Sequence, residues 1–236
     1  FKDYEIIICD TSDKKNNTKL KKLIIPKRVQ YFHYKSKYSQ PEQNQIDKIL
    51  FGFKKSKGDF ICLMDGDDFF NKKKLSFLKK IIDKKKFLFS QDNPSIVKNG
   101  LVVMRKIANK TYKNNYLFNL LLNDWPQIYG TSSIVVEKIV LKKFFKKAKP
   151  FNWKYLAIDA QLALFCKVHF SIKGDLENLT KKTIHNRNLG DQYLNLSSKK
   201  FWIRRFMQHK YYAFLRKKNK FSLDFFLTIV VFYLFR

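Results

Sequence analysis

The sequence predicts an α/β domain with a mostly parallel sheet flanked by helices, and three features carry that prediction. Short apolar runs that stop at acidic residues alternate with stretches of helical spacing, the order that buries a parallel sheet between helices. The runs "YEIIICD" and "DFICLMD" are apolar without alternation, as strands covered on both faces are. With 236 residues, 45% apolar and 17% aromatic, the chain is long enough for one substantial core and far in composition from a disordered tail.

The elements follow in order. "YEIIICD" forms a first strand ending at Asp10, and "TSDKKNNTKL" supplies turn and cap residues. "LIIPKRVQYFHY" is a weaker extended stretch interrupted by Pro26. Ile46, Ile49, Leu50 and Phe53 then fall at i, i+3, i+4 and i+7, the stripe of an amphipathic helix with Pro41 near its start and Gly58 ending it. "DFICLMD" is the next strand, and "NKKKLSFLKKIID" returns to helical spacing through Leu75, Leu78, Ile81 and Ile82. Later, "FLFSQ" and "GLVVMRK" read as strands, "YLFNLLLN" as a short helix, and "TSSIVVEKIVLKKFF" as a strand running into a helix. "YLAIDAQLALFCKV" is helical by its alanine and leucine content. From about Leu194 the chain is basic and aromatic, closing with "FSLDFFLTIVVFYLFR".

A formal charge of +30 attracts polyanions whatever the fold. The charge is lysine spread along the chain, without the arginine clusters or the glycine and aromatic pattern of a nucleic-acid module, so no specific nucleic-acid partner is expected. Cys9, Cys62 and Cys166 each sit inside an apolar run without paired spacing and read as reduced core cysteines.

The chemistry concentrates in "LMDGDDFF". Asp65, Asp67 and Asp68 crowd like charges at the end of an apolar strand, an arrangement that repels itself unless a cation or a special backbone geometry compensates. An Asp-Gly-Asp strand end brings its first and third side chains together at the sheet's carboxyl edge, while Gly66 permits a sharp turn. Two such carboxylates suit a hard divalent ion whose shell is completed by diphosphate oxygens and water. The plainer reading is a polar turn in which Asp67 or Asp68 caps the following helix.

"KDYEIIICDTSD" followed by "GFKKSKGDFICLMDGDDFF" resembles the donor-binding half of the family 2 glycosyltransferases of GT-A fold. The resemblance is specific over roughly the first hundred residues and looser beyond. It implies that Asp10 contacts the nucleotide base, that Asp65 lies near the donor ribose and the metal, that Asp67 is the metal ligand and that Asp68 is the neighbouring acid of the donor site. The cofactor implied is Mg²⁺ or Mn²⁺. After Asp10 the family usually has Asp-Gly-Ser, whereas this chain has Thr11, Ser12 and Asp13.

In the second half, "WPQIYGTSSIVVEK" is similar to the family's strand near the acceptor. The acid opening the following helix is the family's catalytic base, commonly the second member of a Glu-Asp pair; here Ile158 precedes Asp159, so Asp159 alone carries the role. "KKTIHNRNLGDQY" resembles an Arg-x-His stretch, which makes His185 and Arg187 candidates for the diphosphate.

Together these readings imply an inverting glycosyltransferase acting on a nucleotide-diphosphate sugar and a glycan or lipid-linked acceptor hydroxyl, in surface polysaccharide or glycolipid synthesis. Two alternatives stand beside it. One is an Asp-x-Asp phosphotransferase of the haloacid dehalogenase type, which Asp68 and Phe69 fit poorly; the other is a non-catalytic basic protein binding anionic lipid or nucleic acid. Residues 1–193 are expected to form the GT-A domain and residues 194–236 a basic, aromatic helical extension. The tail is too short to span a bilayer and suits an anionic membrane surface, which places the protein in the cytoplasm at the inner face of the cell membrane. Phe1 falls where the family's first helix hands over to its second strand, so a preceding strand and helix are expected to be missing from this chain.

Overall fold

The computed structural model describes residues 3–12, 27–84, 88–98, 101–103, 125–126, 128–170, 173–185, 196–217 and 222–234. The segments "YLFNLLLN" and the residues around Arg187 lie outside them. Among the described residues two sheets form. A small one pairs β1 (Ile6–Asp10) with β2 (Val29–His33) in parallel, Ile6 opposite Val29 and Asp10 opposite His33. The larger one runs β3 (Phe60–Cys62), β7 (Ile134–Glu137), β5 (Phe89–Lys98), β8 (Lys173–Ile184), β4 (Phe69–Phe70), with β6 (Leu101–Val103) also on β5.

The domain is α/β, as the sequence predicts, but its sheet is mixed rather than mostly parallel. Only β1–β2 and β5–β8 pair in parallel among the described strands; β3–β7, β5–β7, β5–β6 and β4–β8 are antiparallel. The reason is topological: β7 inserts between β3 and β5 against their direction, and a local apolar pattern carries no information about direction.

β7 shows how the larger sheet is buried. Ile134 and Val136 join the main core, whereas Val135 turns to the opposite face and meets Leu78 of α2 (Lys74–Lys84), which also brings Ile81 and Ile82. The main core lies on the other side, under α1 (Pro41–Lys55), α3 (Lys138–Lys147), α4 (Ile158–His169) and α5 (Lys199–Arg216). It centres on Ile46, Phe89, Phe144, Leu162 and Phe165, each at most 1% exposed. α5 belongs to this core through Tyr211 and Leu215, and Tyr211 Oη donates to Gln161 O of α4 at 3.1 Å. α6 (Leu223–Leu234) then folds back along α5.

Three local readings need correction. β1 is expected to be buried on both faces, yet Ile6 and Ile8 are each 40% exposed. One side packs on α1, where a Cβ added to Gly52 would sit 3.7 Å from Cys9 Sγ and 3.8 Å from Ile7 Cγ2; no described element covers Ile6 and Ile8 from the other. β5 is ten residues long where "FLFSQ" predicts five, because it continues through Asn93 and Pro94. The register against β8 shifts between Ser90 and Asp92 and again between Asn93 and Ser95, and such bulges let a strand carry a proline. The helix with Pro41 in its first turn stops at Ser56, two residues before Gly58.

Candidate active site

β1 ends at Asp10 because the carboxylate draws the chain into a turn. Its Oδ1 accepts the Ser12 backbone N–H at 2.9 Å, and its Oδ2 accepts the Ser12 hydroxyl at 2.5 Å and the Tyr31 hydroxyl at 2.6 Å. Burial alone would raise the Asp10 carboxyl; the hydrogen bonds from Ser12 and Tyr31 outweigh it and hold the group below its ordinary range. The Tyr31 hydroxyl is pushed up to about 12, chiefly by donating to Asp10. Ser12 thus replaces the family's usual residues after the strand with an internal partner, so Asp10 meets any ligand already hydrogen-bonded on both oxygens.

Asp65 follows β3, where the ladder has stopped and the 3-10 turn Thr131–Ser133 takes over. Its backbone N–H donates to Ser132 Oγ at 2.9 Å, and its Oδ1 accepts from Gln45 Nε2 of α1 at 2.8 Å. Gln45 Nε2 also lies 3.1 Å from Thr131 Oγ1, so one amide ties the carboxylate to the turn. The Asp65 carboxyl is pushed up to about 6, first by burial and then by the charges of Asp159, Asp68 and Asp67, with Gln45 acting in the opposite sense. Four carboxylates from two ends of the sequence therefore share one field.

Asp68 and Asp67 diverge in environment. Asp68 is 7% exposed, and its Oδ1 accepts the Thr183 backbone N–H at 2.9 Å, clamping the carboxylate loop to β8. Asp67 faces outward, and the His185 Nε2–H donates to its Oδ2 at 2.9 Å, with the side chains 44% and 43% exposed. Asp159 sits in the first turn of α4, where the helix dipole favours a carboxylate, and its Oδ1 accepts the Ala160 N–H at 2.7 Å. Arg187 lies outside the described residues.

Among the described residues, no three His, Cys, Asp or Glu side chains converge closely enough to hold a metal ion by themselves. Asp67 and His185 pair at the edge of this carboxylate cluster, and the mutual repulsion felt at Asp65 is what a bound cation would relieve. Such a pair fits a divalent ion that takes the rest of its shell from phosphate oxygens and water.

Sequence reasoning missed the support behind this loop. Lys74, at the start of α2, is wholly buried and donates through Nζ to Asp92 Oδ1 at 2.8 Å, Ser132 O at 2.9 Å and Thr180 Oγ1 at 2.7 Å. Its ammonium also lies 4.1 Å from the centre of the Phe70 ring. The lysine therefore fixes the turn whose Ser132 hydroxyl holds Asp65. In "NKKKL" nothing distinguishes it from its two solvated neighbours.

With its mixed sheet and flanking helices, the chain has the α/β architecture of the GT-A fold. The chain belongs to glycosyl transferase family 2, whose sequence profile matches residues 1–147. A curated protein of Rickettsia bellii (strain RML369-C), described as an uncharacterized glycosyltransferase, is 24% identical over 141 residues, 58% of this chain and 20% of that protein. The fold is similar to crystal structures of S. aureus TarS 1–349. The complex with UDP-GlcNAc gives a TM-score of 0.52 at 14% identity, covering 97% of this chain and 62% of that one. The complex with UDP gives 0.50 at 14% identity, covering 97% and 61%. The chain thus spans about a fifth of the curated relative and less than two thirds of the TarS segment.

Proposed function

We propose that the chain transfers a sugar from a nucleotide-diphosphate sugar to an acceptor hydroxyl with inversion at the anomeric carbon. The observation that carries this reading is membership of glycosyl transferase family 2 in a chain that sets Asp65, Asp67 and Asp68 after β3 and Asp159 in the first turn of α4. A base and a diphosphate-binding edge are the two things a single displacement needs, and family membership supports the same chemistry.

In this reading Asp159 takes the proton from the acceptor hydroxyl as the oxygen attacks the anomeric carbon, and the bond to the diphosphate oxygen breaks on the opposite side. No covalent intermediate on the enzyme forms. Asp67, with His185 beside it and Asp65 nearby, would hold Mg²⁺ or Mn²⁺, which when bound neutralises charge on the departing diphosphate. Gln45 and Ser132 keep Asp65 oriented, Asp68 anchors the loop to β8, and Asp10 takes the base end of the nucleotide. The acceptor class is a glycan or lipid-linked hydroxyl in surface polysaccharide or glycolipid assembly at the inner face of the cell membrane.

A panel of nucleotide sugars, with and without Mn²⁺, tests the reading by thermal stabilisation and by release of the nucleoside diphosphate. One donor should stabilise the protein in a Mn²⁺-dependent way and be hydrolysed or transferred. Absence of any donor response, or a response unchanged by Asp67→Ala, would overturn it.

A further inference from the structure

We infer that the α5–α6 hairpin is a docking surface for an anionic bilayer, a reading independent of the catalytic one. Leu223, Phe226, Leu227, Val230, Tyr233 and Leu234 follow one another at i, i+3, i+4, i+7, i+10 and i+11, so they line one face of α6, and each is 40 to 79% exposed. The opposite face is spent on packing. Phe232 stacks on Phe206 of α5 with ring centres 4.5 Å apart, Phe225 stacks on His209 at 4.9 Å, and Thr228 is 1% exposed. A helix held by one side with a continuous apolar stripe on the other leaves that stripe to be covered by something else.

Charge selects the occupant. The described residues of the hairpin hold seven lysines and arginines against one acid, Asp224, and that acid is neutralised by Arg205 at 2.7 Å. Lys210 Nζ lies 5.4 Å from the Phe206 ring centre, and Lys199 lines an apolar cleft together with Trp202, Phe206 and Phe232, so both cations border the seam between α5 and α6. A hairpin that carries an exposed apolar strip and an excess of cations over acids complements acyl chains beneath anionic headgroups. Among the described residues no helix is long and apolar enough to cross a membrane.

The test floats the full chain with phosphatidylcholine vesicles and with vesicles also containing phosphatidylglycerol, at low and high salt. Binding should appear with the anionic vesicles and weaken with salt. The exposed pair Leu227→Glu/Val230→Glu should abolish it, and Lys199→Gln/Lys210→Gln should lower the partition coefficient by about tenfold. Both variants alter side chains turned to solvent, and an unchanged unfolding transition checks that the fold is intact. Equal recovery from neutral and anionic vesicles, or from neither, overturns the inference. So does a lipid-free dimer that Leu227→Glu/Val230→Glu dissolves, because the stripe would then be covered by a second copy.

Discussion

Lys74 Nζ stands 2.8 Å from Asp92 Oδ1, with the two side chains 0% and 1% exposed. Burial pushes the Asp92 carboxyl up and Lys74 and Thr180 pull it back, while its Oδ2 has no hydrogen-bond partner. Removing one member of such a pair leaves the other charge buried, so Lys74→Met should cost about 3 to 5 kcal/mol. Urea unfolding measures this. Asp92→Asn in the same background should restore part of the loss, and equal destabilisation with and without that second change would show that the pair is not coupled.

Asp159→Asn keeps the shape of the first turn of α4 and removes the basic oxygen. Turnover should fall by about a hundredfold or more while donor affinity stays near wild type. Steady-state kinetics paired with donor titration separates this from a structural role, in which affinity and stability would fall alongside rate.

Asp67→Ala should abolish the Mn²⁺-linked part of donor affinity, and His185→Ala should weaken it less, since His185 reaches the site through Asp67. Isothermal titration with and without Mn²⁺ distinguishes the two. An identical effect of both changes would make the histidine an equal ligand.

Gly130 has φ of 103°, and a Cβ there would sit 3.3 Å from Lys182 Nζ. Gly130→Ala should cost about 1 to 3 kcal/mol through backbone strain. Because a lysine terminus can move aside, adding Lys182→Ala should recover little of it in thermal unfolding. Full recovery would place the cost in the contact.

Asp224 anchors α6. Burial would raise its carboxyl, but hydrogen bonds from His209, Arg205 and Trp125 outweigh that and hold it well below the usual carboxylate range. A depressed carboxyl gives stability that is present above the unfolded value of 3.8 and is lost as pH falls through the folded one. Asp224→Asn should therefore destabilise by about 2 kcal/mol at pH above about 5, and the gap from wild type should close on acidification. Unfolding midpoints across that pH range provide the check, and a gap independent of pH would refute the electrostatic account.

Legibility in the sequence followed the range of the interaction. Asp10 and Asp65 were readable because each ends an apolar run, and Asp159 because an acid among alanines and leucines favours a helix start. Gln45, Ser132 and Lys74 were not, since their partners lie 20, 67 and 58 residues away and only the fold brings them together. The full length of β5 was hidden for the same reason: bulges against β8 let the strand run on through Pro94. Strand direction and the bare face of β1 depend on which elements lie alongside, which residue spacing does not encode.

No ladder bond joins β1 or β2 to the larger sheet among the described residues. The two-stranded unit that carries Asp10 is held to the rest chiefly by its packing on α1, as at Gly52. Its amides should thus exchange with deuterium through local openings, whereas β5 amides, flanked on both sides by paired strands, should exchange only on global unfolding. The end that carries Asp10 and the end that carries Asp65 and Asp159 would then have separate free energies of opening. Any ligand bridging Asp10 to Asp65 would merge them into one cooperative unit, read directly as slowed exchange at Ile7 and Cys9.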